Sequence, residues 1–190
     1  QIEAGTGVGK SAIGYTLGRV LAQSEPTGEN YDSGTYFLTT QKILQEQYVR
    51  DFGEPRGHMS SVQSSTNYRC KYYKKNNCAE SLRALKTAPK DSGFFRTCVF
   101  NCTYKNAKEE FLKSKESVTN FPYFLAETTY AGKIKPRQFL VIDEAHNVDT
   151  ELSKFIETSV SERFCQQILK LQLPKLNTQA QAWKWINEIY

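Results

Sequence analysis

Hydrophobic and polar positions along this chain alternate between two patterns. Residues 11–21 place Ile13, Leu17, Val20 and Leu21 on one face at the helical period. Residues 43–52, 105–114, 148–156, 162–171 and 179–189 also read as helices. Between the first few of these lie short apolar runs. Tyr36-Phe37-Leu38 reads as a buried strand, residues 118–121 as a strand leading into Pro122, and Phe139-Leu140-Val141-Ile142 as another. Residues 24–34 (Pro26, Gly28, Asn30, Asp32, Gly34) form a polar surface loop, 53–65 an irregular stretch, and 132–137 a turn into the third strand. Strand and helix in alternation predict an α/β fold, a parallel sheet covered by helices. The helical residues beyond 148 read as a different region. The chain has no internal repeat and no low-complexity tract.

Two of these stretches carry residues suited to phosphate chemistry. Ala4-Gly5-Thr6-Gly7-Val8-Gly9-Lys10-Ser11 opens the first helix. Glycines there let successive backbone N–H groups curl around phosphate oxygens. Lys10 reaches the β- and γ-phosphates, and the Ser11 hydroxyl suits Mg²⁺. The helix N-terminus adds partial positive charge. The apolar run 139–142 is followed by Asp143-Glu144-Ala145-His146. A buried parallel strand delivers such residues to its carboxyl end, where open α/β sheets bind ligands. Asp143 is placed to hold Mg²⁺ and Glu144 to orient an attacking water. Together the two motifs predict a nucleoside triphosphatase site. A P-loop normally follows a full strand, whereas only Gln1, Ile2 and Glu3 precede this one. The residues therefore read as a portion of a longer protein.

Length and charge sharpen this picture. The 190 residues suit one domain or one domain with insertions, and no apolar run is long enough to span a membrane. The net charge of +5 is concentrated. Arg69, Lys71, Lys74, Lys75, Arg83, Lys86 and Lys90 face only Glu80 across residues 69–90, and the rest is close to neutral. A local basic patch of this kind suits a polyanion. Tyr68, Tyr72 and Tyr73 interleave with Arg69, Lys71, Lys74 and Lys75. Cations can follow a phosphate backbone while aromatic faces stack on bases, a pattern suited to single strands. Cys70, Cys78, Cys98 and Cys102 lie in the same block, and Cys165 stands apart on a stripe with Ile168 and Leu171, read as core. Four thiolates suit tetrahedral zinc or an iron–sulfur cluster. The spacing alone leaves both open. Disulfides fit less well with a P-loop protein of a reducing compartment.

In combination these residues resemble the iron–sulfur DNA helicases typified by XPD and DinG, of helicase superfamily two with a DEAH box. Residues 3–11 look like helicase motif I. Phe37-Leu38-Thr39-Thr40-Gln41 with Leu44-Gln45-Glu46-Gln47 is similar to motif Ia, which implies contact of Thr39, Thr40 and Gln41 with DNA. Asn67-Tyr68-Arg69-Cys70 resembles the Asn-Tyr-x-Cys that introduces the cluster domain. Cys102-Thr103-Tyr104 resembles Cys-Pro-Tyr at the last cluster cysteine, with Thr103 where proline is usual. Ser64-Ser65 stands where Gly-Arg often precedes the Asn-Tyr. Residues 119–125 resemble the segment before motif II, and Asp143-Glu144-Ala145-His146 is the DEAH box.

The resemblance implies a RecA-like P-loop motor domain over residues 1–65 and 103–150, an iron–sulfur insert over 66–102, and the start of a helical arch over 151–190. It implies an ATP-dependent DNA helicase moving 5′ to 3′ on single-stranded or fork DNA, with a role in DNA repair and with loading or repair partners of unknown identity. ATP, Mg²⁺ and a 4Fe-4S cluster on Cys70, Cys78, Cys98 and Cys102 are the implied cofactors, with zinc as the alternative. His146 is implied to couple nucleotide state to the DNA-binding face. An intracellular location is expected, cytoplasmic in a prokaryote or virus and nuclear in a eukaryote. The second motor domain is not among these residues, so they are expected to hydrolyse ATP weakly. Two rival readings remain. One is a zinc-stabilised module that holds nucleic acid without motor activity. The other is an ATP-switched nuclease or repair adaptor, which requires a further acidic metal cluster that the sequence does not supply.

Overall fold

The computed structural model describes residues 3, 5, 7–23, 31–55, 57–156 and 160–189. Ala4 and Thr6 of the glycine-rich loop, and residues 24–30 of the expected polar loop, lie outside these. The described elements are α1 (Lys10–Leu21), β1 (Asp32–Thr39), α2 (Lys42–Phe52), β2 (Ser60–Ser61), α3 (Cys78–Leu85), α4 (Gly93–Phe100), α5 (Thr103–Lys113), β3 (Glu116–Asn120), α6 (Phe121–Ala126), β4 (Arg137–Ile142), α7 (Val148–Ile156), α8 (Glu162–Phe164) and α9 (Gln179–Ile189). The chain divides into two compact units, Gln1–Phe155 and Ile156–Tyr190.

The first unit is an α/β fold. Its four strands are all parallel, in the order β2-β3-β1-β4, with helices on both faces. β1 is central. Phe37 registers with Val118 of β3 and with Val141 of β4. Because side chains alternate along a strand, neighbours Tyr36 and Phe37 enter different cores. Phe37 packs with Tyr15 of α1, Tyr48 of α2, Met59 and Val118. Tyr36 packs with Val62, Phe111 of α5, Tyr123 of α6 and Ile134. Each fully buried aromatic here contributes about 1.5–3 kcal/mol through removal from water.

Several elements differ from the sequence expectation. The stripe Ile13, Leu17 and Val20 faces outward, 46%, 50% and 58% exposed, while Tyr15 and Gly18 are buried. Close approach decides the face. A methyl on Gly18 would lie 2.9 Å from Thr35 Cγ2, and one on Gly14 would lie 3.2 Å from Val141 Cγ1. Two glycines thus let α1 lie against β1 and β4, and the bulkier stripe turns away.

β4 is an edge strand of the described sheet, with Leu140 exposed, although its apolar run reads as a strand buried on both faces. β3, expected to run to Phe121, ends at Asn120. Asn120 accepts a hydrogen bond from the Tyr123 amide at 3.0 Å, and Pro122 sits in the first turn, so Phe121 begins a helix. The stretch 53–65 contains β2, whose two serines pair with Ser117 and Val118. Asp32 and Gly34, expected in the polar loop, belong to β1.

In the second unit α8 passes into a π-helical turn, Cys165–Leu169, closed by Lys170 at φ 57°. The wider turn breaks the expected stripe. Cys165 is buried as expected, but Ile168 and Leu171 are exposed. No helix of the described residues is long and apolar enough to cross a membrane.

Candidate functional site

The glycine-rich loop leads into α1 in a form suited to an anion. Gly7 and Gly9 have φ of 81° and 82°, a left-handed backbone that side chains with a Cβ disfavour. Gly9 is the N-cap residue and brings no side chain to the first-turn N–H groups, and that turn holds no acidic residue. The first-turn N–H groups of α1 therefore have no side-chain cap from Gly9, and the positive end of the helix is of a kind that suits an anion. Lys10 Nζ donates to the Gly5 carbonyl at 3.3 Å, within the same loop.

The carboxyl end of β4 meets this loop. The Asp143 amide donates to Leu38 O at 2.9 Å, extending the ladder to β1. Ser11 Oγ donates to Asp143 Oδ2 at 3.4 Å across 132 positions of sequence. The other carboxylate oxygen accepts from the Glu144 amide at 3.0 Å. Glu144 adopts a left-handed conformation, φ 53° and ψ 46°, unusual for a residue with a Cβ. Its carboxylate lies 3.3 Å from His146 Nδ1. Asn147 Nδ2 lies 3.1 Å from His146 Nε2. Both contacts are satisfied by the neutral tautomer protonated on Nδ1, with the Asn147 amide donating to Nε2.

A cavity of about 350 Å³ opens here, lined by Lys10, Gly14, Asp143, Glu144 and His146 among others. Beside it, the Ser11 hydroxyl and the Asp143 carboxylate form a pair of oxygen donors of the kind that suits Mg²⁺, which binds through one or two protein ligands and keeps several waters.

Tyr48 also lines this cavity, and sequence reasoning missed it. Its ring belongs to the core beneath, with centroids 5.7 Å from Phe37 and 5.6 Å from Phe52. Its hydroxyl is raised well above the ordinary phenol range by burial, and then by the neighbouring Asp143 carboxylate. The helical period of α2 shows which positions face inward. It does not show that one of them surfaces beside Asp143.

The cysteine segment is organised by backbone pairing. Arg69 bridges Asn77, and the Cys78 amide donates to Tyr68 O at 2.7 Å, closing a loop over residues 69–77. Cys78 opens α3, Cys98 lies in α4 and Cys102 is the N-cap residue of α5. Cys78 Sγ and Cys102 Sγ are 3.5 Å apart. Burial, then the Cys102 sulfur, pushes the Cys78 thiol up to about 12, with Cys98 and Cys70 adding to the effect. Burial opposes ionisation of Cys70 as well. There the Ser81 side chain and the amides of Tyr73 and Tyr72 outweigh it and lower the thiol. The donors suit a thiolate-bound centre in number and type, and amides directed at sulfur are the outer support such centres use. Among the described residues, no three His, Cys, Asp or Glu side chains are set around a common point as metal ligands.

The basic loop presents some of its predicted contacts and turns others inward. Tyr72 and Tyr73 are exposed and held edge to face at 4.9 Å, both against Phe94. Arg69, Lys74 and Lys75 line an open concavity with Asn67 and Asn76, and Lys71 Nζ donates to Asn101 Oδ1. Tyr68 is half-buried. Its hydroxyl accepts from the Gln63 amide and its ring packs on Tyr104. In the β1–α2 turn, Thr39 is buried and its hydroxyl donates to Gln41 O, while Thr40 is half-buried and Gln41 exposed. Lys42 Nζ donates to Asn67 Oδ1 at 2.6 Å and joins this turn to the basic loop. Its position beside Gln41 is the signal that would have singled it out.

Comparison with protein-family models, with curated proteins and with solved structures gave no match.

Proposed function

We propose that this chain is the nucleotide-binding part of an ATP-dependent DNA helicase with a RecA-like motor domain, a cysteine-rich insert at 66–102, and the start of a helical arch beyond 150. The observation that carries the reading is the meeting of Ser11 with Asp143 at the head of α1. Lys10, Gly7 and Gly9 bind the triphosphate, and Ser11 and Asp143 hold magnesium, whose charge offsets that of the phosphates. Glu144 orients the attacking water, since phosphoryl transfer depends mainly on alignment and charge neutralisation. His146 contacts Glu144 and would couple nucleotide state to the DNA-binding face. Cys70, Cys78, Cys98 and Cys102 would hold an iron–sulfur cluster as a rigid anchor for the basic loop. Tyr72, Tyr73, Lys74 and Lys75, with Thr40 and Gln41, would face single-stranded or fork DNA.

Calorimetric titration with ATPγS and Mg²⁺ tests the nucleotide site. Lys10→Ala is expected to weaken binding roughly 10–100-fold, the worth of a charge-assisted contact. Glu144→Gln is expected to keep binding while abolishing any hydrolysis. ATPγS binding indifferent to Lys10→Ala refutes the reading. Metal analysis of anaerobically purified protein tests the insert. Iron with acid-labile sulfide supports the cluster, and zinc without sulfide supports the static module instead.

A further inference from the structure

Tyr48 combines two features that a residue serving only the core does not need together. Its ring is among the most buried in the chain, 3% exposed, and is fixed by Phe37 and Phe52. Tyr48 nevertheless lines the cavity that also holds Lys10, Asp143 and Glu144. The Asp143 carboxylate and the Ser11 side chain both act on its hydroxyl. The two Asp143 oxygens are already engaged by Ser11 and by the Glu144 amide. The Ser11 oxygen can turn a lone pair to a cation while its hydrogen stays on Asp143, provided both side chains keep their places. A phenol on a rigid ring, in the wall of the same cavity as Asp143, is suited to keep the carboxylate in place.

We propose that Tyr48 is a positioning residue of the nucleotide site, its hydroxyl holding Ser11 and Asp143 in register for a magnesium-bound triphosphate. The proposal rests on the nucleotide reading above and adds a residue to it. Tyr48 also ties that register to α2, the helix that begins directly after Gln41. At about 1.5 Å rise per residue, roughly 10 Å of rigid helix joins the metal-binding pair to the turn carrying Thr40 and Gln41. One side chain thereby ties Asp143 to α2, beside the backbone bond that joins the Asp143 amide to Leu38 of β1.

The test is calorimetry of the full chain with ATPγS, in EDTA and across a Mg²⁺ titration. Tyr48→Phe removes only the hydroxyl. It is expected to keep wild-type far-ultraviolet dichroism and wild-type ATPγS affinity in EDTA, while losing about ten-fold of the enhancement that Mg²⁺ confers. Tyr48→Leu, which also removes ring packing, is the stability control. If Tyr48→Phe keeps the whole Mg²⁺ enhancement while Lys10→Ala loses ATPγS, the site stands and the role of Tyr48 is overturned. If the two Tyr48 variants lose enhancement only in proportion to lost stability, the residue is structural and the proposal is again overturned. If the wild-type chain binds no ATPγS, the site and the role of Tyr48 fall together.

Discussion

The sheet rim bearing Lys10, Ser11 and Asp143 and the segment bearing the cysteines and basic tyrosines belong to one compact unit, yet they are held by different forces. The rim rests on a parallel ladder with an aromatic core on each face, Phe37 on one side and Tyr36 with Phe111 on the other. Its Ser11 and Asp143 lie 132 positions apart in the sequence and meet on that frame. The segment has two eight-residue helices and little large apolar burial. It relies on local devices. Asn77 and Glu80 cap α3 reciprocally, Ser92 caps α4, and buried thiols fill the space between. A site set on a packed sheet is formed before its ligand arrives. A segment of short helices and sulfurs gains much of its stiffness from whatever binds those sulfurs.

The strongest way to break this contrast is to remove the shared support. Phe37→Ala should cost about 3–5 kcal/mol, and urea melts should show rim and segment failing together. If the segment stayed protected from proteolysis after the sheet had melted, the two would be independent folding units.

A smaller effect isolates the sheet. Tyr15 donates to Glu116 at 2.6 Å, and its phenol is pushed up to about 12, first by burial and then by that carboxylate. The folded chain therefore holds this proton more tightly than the unfolded chain does. The contribution is complete below pH 10 and is lost as pH rises towards 12. Denaturant melts at pH 9 and pH 11.5 should show that loss in the wild type and a shallower one in Tyr15→Phe.

The least change is expected from a cap in the segment. Asn77→Ala removes the acceptor for the Glu80 amide and should cost about 0.5–2 kcal/mol. Proteolysis within residues 66–102 should quicken while ATPγS affinity holds. Equal weakening of nucleotide binding would show that the segment and the rim are coupled.

Much of this fold could be read in advance from local pattern. The spans of α2, α7 and α9 follow from their residues to within a position, because a helix is made of contacts three and four residues apart. The glycine-rich loop and the acidic strand end were likewise visible as motifs. Other features depended on neighbours distant in sequence. The buried face of α1 was set by how closely Gly14 and Gly18 approach Val141 and Thr35, against the apparent stripe. Thr39 and Tyr68 were turned inward by the turn and by Tyr104, although their residue types suit a surface contact.

The sequence by itself determined which short stretches form most of the helices and strands and which residues are of types suited to phosphate and thiol chemistry, because those properties reside in adjacent residues. The motifs anticipated that Asp143 meets Ser11; only the tertiary structure decided that Tyr48 lines the cavity with Asp143 and that Lys42 reaches Asn67. Those contacts follow from strand order and from the packing of two cores, and periodicity along the chain carries no information about either.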